Sequence, residues 1–149
     1  MKLIMINGPG GAGKTTLAKK LHKNKELSVL VSNYLVRRMI NGFRENRDKS
    51  REIMFNLTYG LVEQALVSGV DVIVDQKTHD DFSGNSIVDR YVNLAKQKGA
   101  TTYEIILTVD KENAMERIRQ RGFSEGGILN EENLEENQIT EWNELRRKC

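Results

Sequence analysis

A three-layer α/β fold, with about four parallel strands and helices on both faces of the sheet, follows from three features of the sequence. Short apolar runs rich in β-branched residues alternate with longer segments of helical periodicity. No repeat and no Pro- or Gly-rich linker interrupts that alternation, so residues 1–149 are expected to form one domain. The first apolar run also ends in a glycine-rich turn that opens directly into a helix.

Taken in order, residues Lys2 to Ile6 read as a buried strand and residues 14–24 as a helix, with Leu17, Ala18 and Leu21 at helical spacing. Leu27 to Val31 is a second strand. Helices are expected over 34–44 and 48–68; in the latter Ile53, Leu57, Leu61 and Ala65 fall four apart, and Gly69 is a helix stop. Val70 to Val74 is a third strand, followed by a helix over 84–98 that ends at Gly99. Residues 102–109 form the fourth strand, and Asp110 caps a helix over 111–121. A loop spans Gly122 to Leu129. Asn130 then caps a final helix that begins acidic and ends basic, in keeping with the helix dipole. Strands separated by helices pair in parallel and need crossovers, which are expected to be right-handed.

Composition narrows the class of protein. Hydrophobic residues make up 38% and charged residues 30%, so the chain can bury a core and has no disordered bias. No apolar run approaches the ~18 residues of a membrane span, and the apolar start is too short for a signal peptide, so a cytoplasmic protein is expected. The single cysteine, Cys149, permits no intrachain disulfide, and no Cys/His cluster offers a zinc site. A net charge of +2 argues neither for nor against a nucleic-acid partner.

The chemistry lies in Gly8-Pro9-Gly10-Gly11-Ala12-Gly13-Lys14-Thr15, which fits the phosphate-binding pattern G-x-x-x-x-G-K-[ST]. Glycines let the backbone wrap phosphates without Cβ clashes. Successive N–H groups at a helix start make an anion nest, which the helix dipole reinforces. Lys14 can reach the β- and γ-phosphates, and the Thr15 hydroxyl can coordinate Mg²⁺. Pro9 lacks an N–H but sits at the loop entry. The expected nucleotide-binding set is Gly8, Gly10, Gly11, Ala12, Gly13, Lys14, Thr15 and Thr16, with ATP and Mg²⁺ as cofactors. A strand before the motif and a helix after it supply the context it needs, and the fold class becomes that of a P-loop NTPase.

Ligands of open α/β sheets bind beyond the carboxyl ends of the strands, which places Asp75 beside this loop, either coordinating Mg²⁺ or capping a turn. Arg117 and Arg121 lie four apart and share a helix face; they suit a lid around 117–130 that closes on a triphosphate, or a solvated basic face. Arg37 and Arg38 border the acceptor side, where they could hold a phosphate bidentately or serve as surface charges. His79, Asp80 and Asp81 read as a polar turn that could also hold a general base. His22 reads as a surface residue, and Trp142 as a core contact with Leu134, Ile139 and Leu145.

Together the segments GPGGAGKTTLAKKL, VDVIVD and MERIRQRG resemble the P-loop kinases related to the 5′-kinase domain of phage polynucleotide kinases and, more distantly, the zeta toxins. The resemblance spans nearly the whole chain. It implies catalytic roles for Lys14, Asp75, Arg117 and Arg121, and a nucleoside triphosphate donor. One departure stands out. That family carries an aspartate base after the second strand; here the stretch is Val31-Ser32-Asn33-Tyr34-Leu35-Val36-Arg37-Arg38, with Asn33 nearest the expected position. Asparagine can orient a hydroxyl but cannot take its proton. Either a base comes from elsewhere, such as Asp75, Asp80 or Asp81, or the acceptor is a phosphate that needs none, or transfer is lost. The expectation is therefore an ATP-dependent kinase acting on a nucleic-acid 5′ end or a nucleotide-like hydroxyl, with Asn33, Arg37 and Arg38 on the acceptor. A nucleoside monophosphate or other small-molecule kinase and a non-catalytic nucleotide-binding module are the alternatives.

Overall fold

A computed structural model of the chain describes residues 1–75 and 86–122, together with Leu134. The elements run β1 (Lys2–Asn7), α1 (Lys14–Lys23), β2 (Ser28–Ser32), α2 (Asn33–Arg38), α3 (Arg47–Val67), β3 (Asp71–Asp75), α4 (Ile87–Gln97), β4 (Thr101–Ile106) and α5 (Lys111–Arg121). The four strands form one parallel sheet in the order β2-β3-β1-β4. The strand after the glycine-rich loop is therefore not the neighbour of β1. β3 inserts between them, and its carboxyl end comes beside that loop.

Alternation along β1 explains the two-sided core. Leu3 and Met5 face one way, and join Val72 and Val74 of β3 under Val62, Ala65 and Leu66 of α3 and Tyr91, Leu94 and Ala95 of α4. Ile4 and Ile6 face the other way, and pack with Ile73 against Ala18, Leu17 and Leu21 of α1. Helices thus cover both faces, as the sequence predicts. Burying a leucine or isoleucine fully contributes about 1.5–3 kcal/mol, so these two clusters hold the sheet together. β4 lies at the edge and is largely exposed, Tyr103 and Ile106 included. At the opening of β3, Asp71 accepts from the β1 backbone at Lys2 and pairs with Lys25.

Most boundaries agree with the sequence reading to within one or two residues; two boundaries and two burial readings differ instructively. The helix expected over 34–44 ends at Arg38, and turns occupy the stretch to Asn46. The fourth strand stops at Ile106 rather than 109. In α3 the four-residue series of Ile53, Leu57 and Leu61 is largely exposed, at 38%, 43% and 45%. The buried ridge is displaced by one residue, through Ser50, Met54, Thr58, Val62, Ala65 and Leu66. Adjacent ridges of a helix have the same period, so spacing alone does not choose between them. His22, read as a surface residue, is half-buried with Nδ1 2.8 Å from Ser28 Oγ.

The caps read from sequence at Asp110, Gly69 and Gly99 hold, and the Asn130 cap lies outside the described residues. Asp110 Oδ1 accepts from Asn113 N at 2.8 Å and starts α5. Gly69 and Gly99 take positive φ, 76° and 69°, just past the ends of α3 and α4. The expected final helix, with Ile139, Trp142 and Leu145, lies outside the described residues. So do His79, Asp80 and Asp81, and the 123–130 part of the expected lid. Leu134 is fully buried.

Candidate active site at the carboxyl edge of the sheet

The loop between β1 and α1 owes its path to glycine. Gly13, the residue before α1, has φ 92°, and Gly11 has φ 78°. A Cβ on Gly11 would also sit 2.5 Å from Ala114 O, so the loop lies directly against α5. Ala12 N donates to Pro9 O, which folds the loop back on itself. The first helical bond of α1 runs from Leu17 N to Gly13 O. The N–H groups of Lys14, Thr15 and Thr16 thus precede the helical ladder and point out of its amino end, as an anion nest requires.

Lys14 folds back over this nest. Its Nζ donates to Gly8 O at 2.7 Å and Pro9 O at 2.8 Å. Burial lowers its pKa from 10.5 to about 8, with the Asp75 carboxylate opposing that shift and the Arg121 charge adding to it. Arg121 therefore lies within electrostatic range of Lys14. Arg117, on the same face of α5, directs Nη1 to Gly11 O at 3.4 Å, a long contact. Of the two arginines read from the sequence, Arg117 thus contacts the phosphate loop itself, while Arg121 is close enough to act on the Lys14 charge.

Asp75 is buried at the end of β3, 6% exposed. Its Oδ2 accepts the Thr15 hydroxyl at 2.7 Å, and Ser32 Oγ lies 3.5 Å away. A hydroxyl and a carboxylate converging at the foot of a phosphate loop form a hard oxygen donor set. Mg²⁺ takes one or two such protein ligands together with phosphate oxygens and water. Among the described residues there is no group of three or more His, Cys, Asp or Glu that could hold a metal ion.

The side that the sequence reading assigns to an acceptor is built by β2, α2 and α3. Ser32 is in register with Asp75, and Asn33 follows it. The Asn33 side chain meets Thr58 of α3: Thr58 Oγ1 lies 3.1 Å from Asn33 Oδ1 and 2.7 Å from Met54 O. Arg37 sits over the Phe43 ring at 5.0 Å, and Arg38 over Tyr34 at 5.7 Å. Ser32 and Thr58 escaped the sequence reading. A polar residue on the true buried ridge of α3 was the available signal for Thr58, and the choice of the neighbouring ridge concealed it.

A family model described as an AAA domain matches residues 3–147. The chain belongs to that family. Its fold is that of the P-loop kinases, and the family implies nucleotide binding at the loop. A chain of the Pnkp1/Rnl/Hen1 RNA repair complex superposes with a TM-score of 0.72 at 17% identity, covering 99% of this chain and 46% of that one. The tunicamycin resistance protein of Deinococcus radiodurans gives 0.56 at 21% identity, over 95% and 80% of the two chains. The deoxyadenosine kinase of M. mycoides gives 0.51 at 20% identity, over 99% and 84%. The chain thus spans less than half the length of the repair-complex protein it resembles. No curated protein sequence matches it. No helix among the described residues is long and apolar enough to cross a membrane.

Proposed function

We propose that the protein is an ATP-dependent kinase that transfers the γ-phosphoryl group to a hydroxyl of a nucleic-acid 5′ end or a nucleotide-like acceptor in the cytoplasm. The observation that carries this reading is the convergence of Lys14, the Thr15–Asp75 pair and Arg117 on one phosphate loop. Fold likeness to a chain of an RNA repair complex supports the nucleic-acid acceptor.

The reading assigns each residue a role. The N–H groups opening α1 hold the phosphates. Lys14 exchanges Gly8 O and Pro9 O for β- and γ-phosphate oxygens. Thr15 and Asp75 are the residues to hold Mg²⁺, which supplies charge neutralisation when bound. Arg117 and Arg121, at the base of a lid over about 117–130 of a single domain, offset charge on the transferred group. The acceptor oxygen bonds to the γ-phosphorus as the bond to the β,γ-bridging oxygen breaks. That oxygen leaves with the electron pair on ADP. The hydroxyl proton leaves late, to water or a phosphoryl oxygen, so the step does not require a carboxylate at position 33. Arg37 and Arg38 grip acceptor phosphate.

The absent carboxylate also favours a second reading, in which the acceptor is the phosphate of a nucleoside monophosphate. Label transfer from γ-labelled ATP with Mg²⁺ to a 5′-hydroxyl oligonucleotide tests the first reading, with nucleoside monophosphates in parallel and Lys14→Ala as control. Label on the oligonucleotide that is lost in the control is the expected result. Label on monophosphates alone would select the second reading. ATP binding without transfer to any acceptor would leave a binding module.

A further inference from the structure

We infer that Thr58 is a positioning residue that turns the Asn33 amide so that its carbonyl oxygen faces the acceptor, which makes the site select a hydroxyl over a phosphate. The inference deepens the kinase reading and rests on it for the identity of the ligand.

It follows from counting protons. Thr58 is fully buried, and its Oγ1 lies near two groups, Met54 O at 2.7 Å and the Asn33 side-chain amide at 3.1 Å. A hydroxyl carries one proton. The Met54 carbonyl can only accept, and it is the nearer partner. The proton therefore goes to Met54 O, and Thr58 Oγ1 is left with lone pairs toward Asn33. An oxygen facing those lone pairs would make no bond, whereas an N–H at 3.1 Å makes an ordinary one. The two amide orientations differ by a half-turn that exchanges Oδ1 and Nδ2 without moving any other atom, and the network decides between them. The proton count thus reverses the amide from the placement above, in which Oδ1 lies toward Thr58: Nδ2 faces Thr58, and Oδ1 faces away from α3.

Asn33 opens α2 directly after Ser32, the residue in register with Asp75, so this oxygen belongs to the first residue past the strand that pairs with the strand of Asp75. It can only accept. A sugar hydroxyl offers it a proton. An ionised phosphate offers only oxygens, and is repelled. The Asn33 amide then aligns the acceptor O–H without removing its proton. The opposite orientation, with Nδ2 outward, would favour phosphate, so one buried hydroxyl sets the sign of the selection.

The test has two independent arms on the full chain. In the first, ¹⁵N-labelled protein is examined by NMR, with the Asn33 side-chain amide assigned by its loss in Asn33→Asp. One Nδ2 proton should exchange with solvent at least ~10-fold more slowly than in an exposed asparagine. Thr58→Val should abolish that protection and Thr58→Ser should keep it. Unprotected Nδ2 protons in the wild type would overturn the inference whatever the activity. In the second arm, initial rates are compared for a 5′-hydroxyl oligonucleotide and a nucleoside monophosphate. Thr58→Val should reduce the hydroxyl-over-phosphate preference about 10-fold with the KM for ATP unchanged, and Thr58→Ser should restore it. A preference unchanged in Thr58→Val would overturn the selection. If the wild type phosphorylates neither acceptor, the kinase reading fails and the selection falls with it, while the amide orientation is still decided by the first arm.

Discussion

The two halves of the site are built in different ways. The donor half is almost contiguous: eight residues from Gly8 to Thr15 supply the nest, the lysine and the hydroxyl, and long-range partners only close it. The proposed acceptor half is assembled from Asn33, Arg37 and Arg38 on one segment and Thr58 on another helix, 25 residues away from Asn33. The contrast has a physical origin. A phosphate is recognised by backbone N–H groups, so local glycine geometry is enough. A specific acceptor is recognised by side chains, which must be fixed by packing.

That contrast can be broken or sharpened by substitution. The largest effect belongs to the donor half. Lys14→Ala should lower kcat by about 10²–10³-fold or more, because the ammonium acts on charge developing in transfer. Steady-state rates check this, and near-normal turnover would mean that the loop is not the catalytic centre.

Next comes Gly11→Ala, which changes no functional group. Its Cβ meets Ala114 O at 2.5 Å, and its φ of 78° disfavours any side chain. A stability loss of about 1–3 kcal/mol is expected, together with weaker nucleotide binding. Thermal melts with and without ATP separate the two. An unchanged melt would show that α5 and the loop move apart freely.

The pH dependence is smaller near neutrality. The lowered pKa of Lys14 leaves it protonated below about 8 and neutral above. In the free enzyme kcat/KM for ATP should therefore fall toward tenfold per pH unit above about 8. Lys14→Arg, whatever its absolute rate, should lack that limb, since arginine keeps its charge.

The smallest effect is assigned to the acceptor half. Arg37→Ala should raise the acceptor KM about 10-fold with little change in kcat or in the KM for ATP. A fall in kcat alone would move Arg37 from binding the acceptor to stabilising the transfer, and would erase the division between the two halves.

Much of the molecule could be read from the chain alone. Alternating apolar runs and helical segments specified the four strands and most helices, since each depends on local periodicity and on caps such as Asp110, Gly69 and Gly99. The phosphate loop was legible for the same reason: its glycines answer to their own backbone angles. Asp75 was placed correctly because it ends an apolar strand, and such ends gather at one edge of a parallel sheet. Tertiary structure decided the rest. The order β2-β3-β1-β4 brings Asp75 to Thr15, and no local signal encodes which strand lies between two others. The buried ridge of α3 runs through Thr58 rather than Leu57, because two adjacent ridges share one period and only the partner surface distinguishes them. The orientation of the Asn33 amide depends on a single proton on a threonine of another helix, which the sequence near Asn33 does not contain.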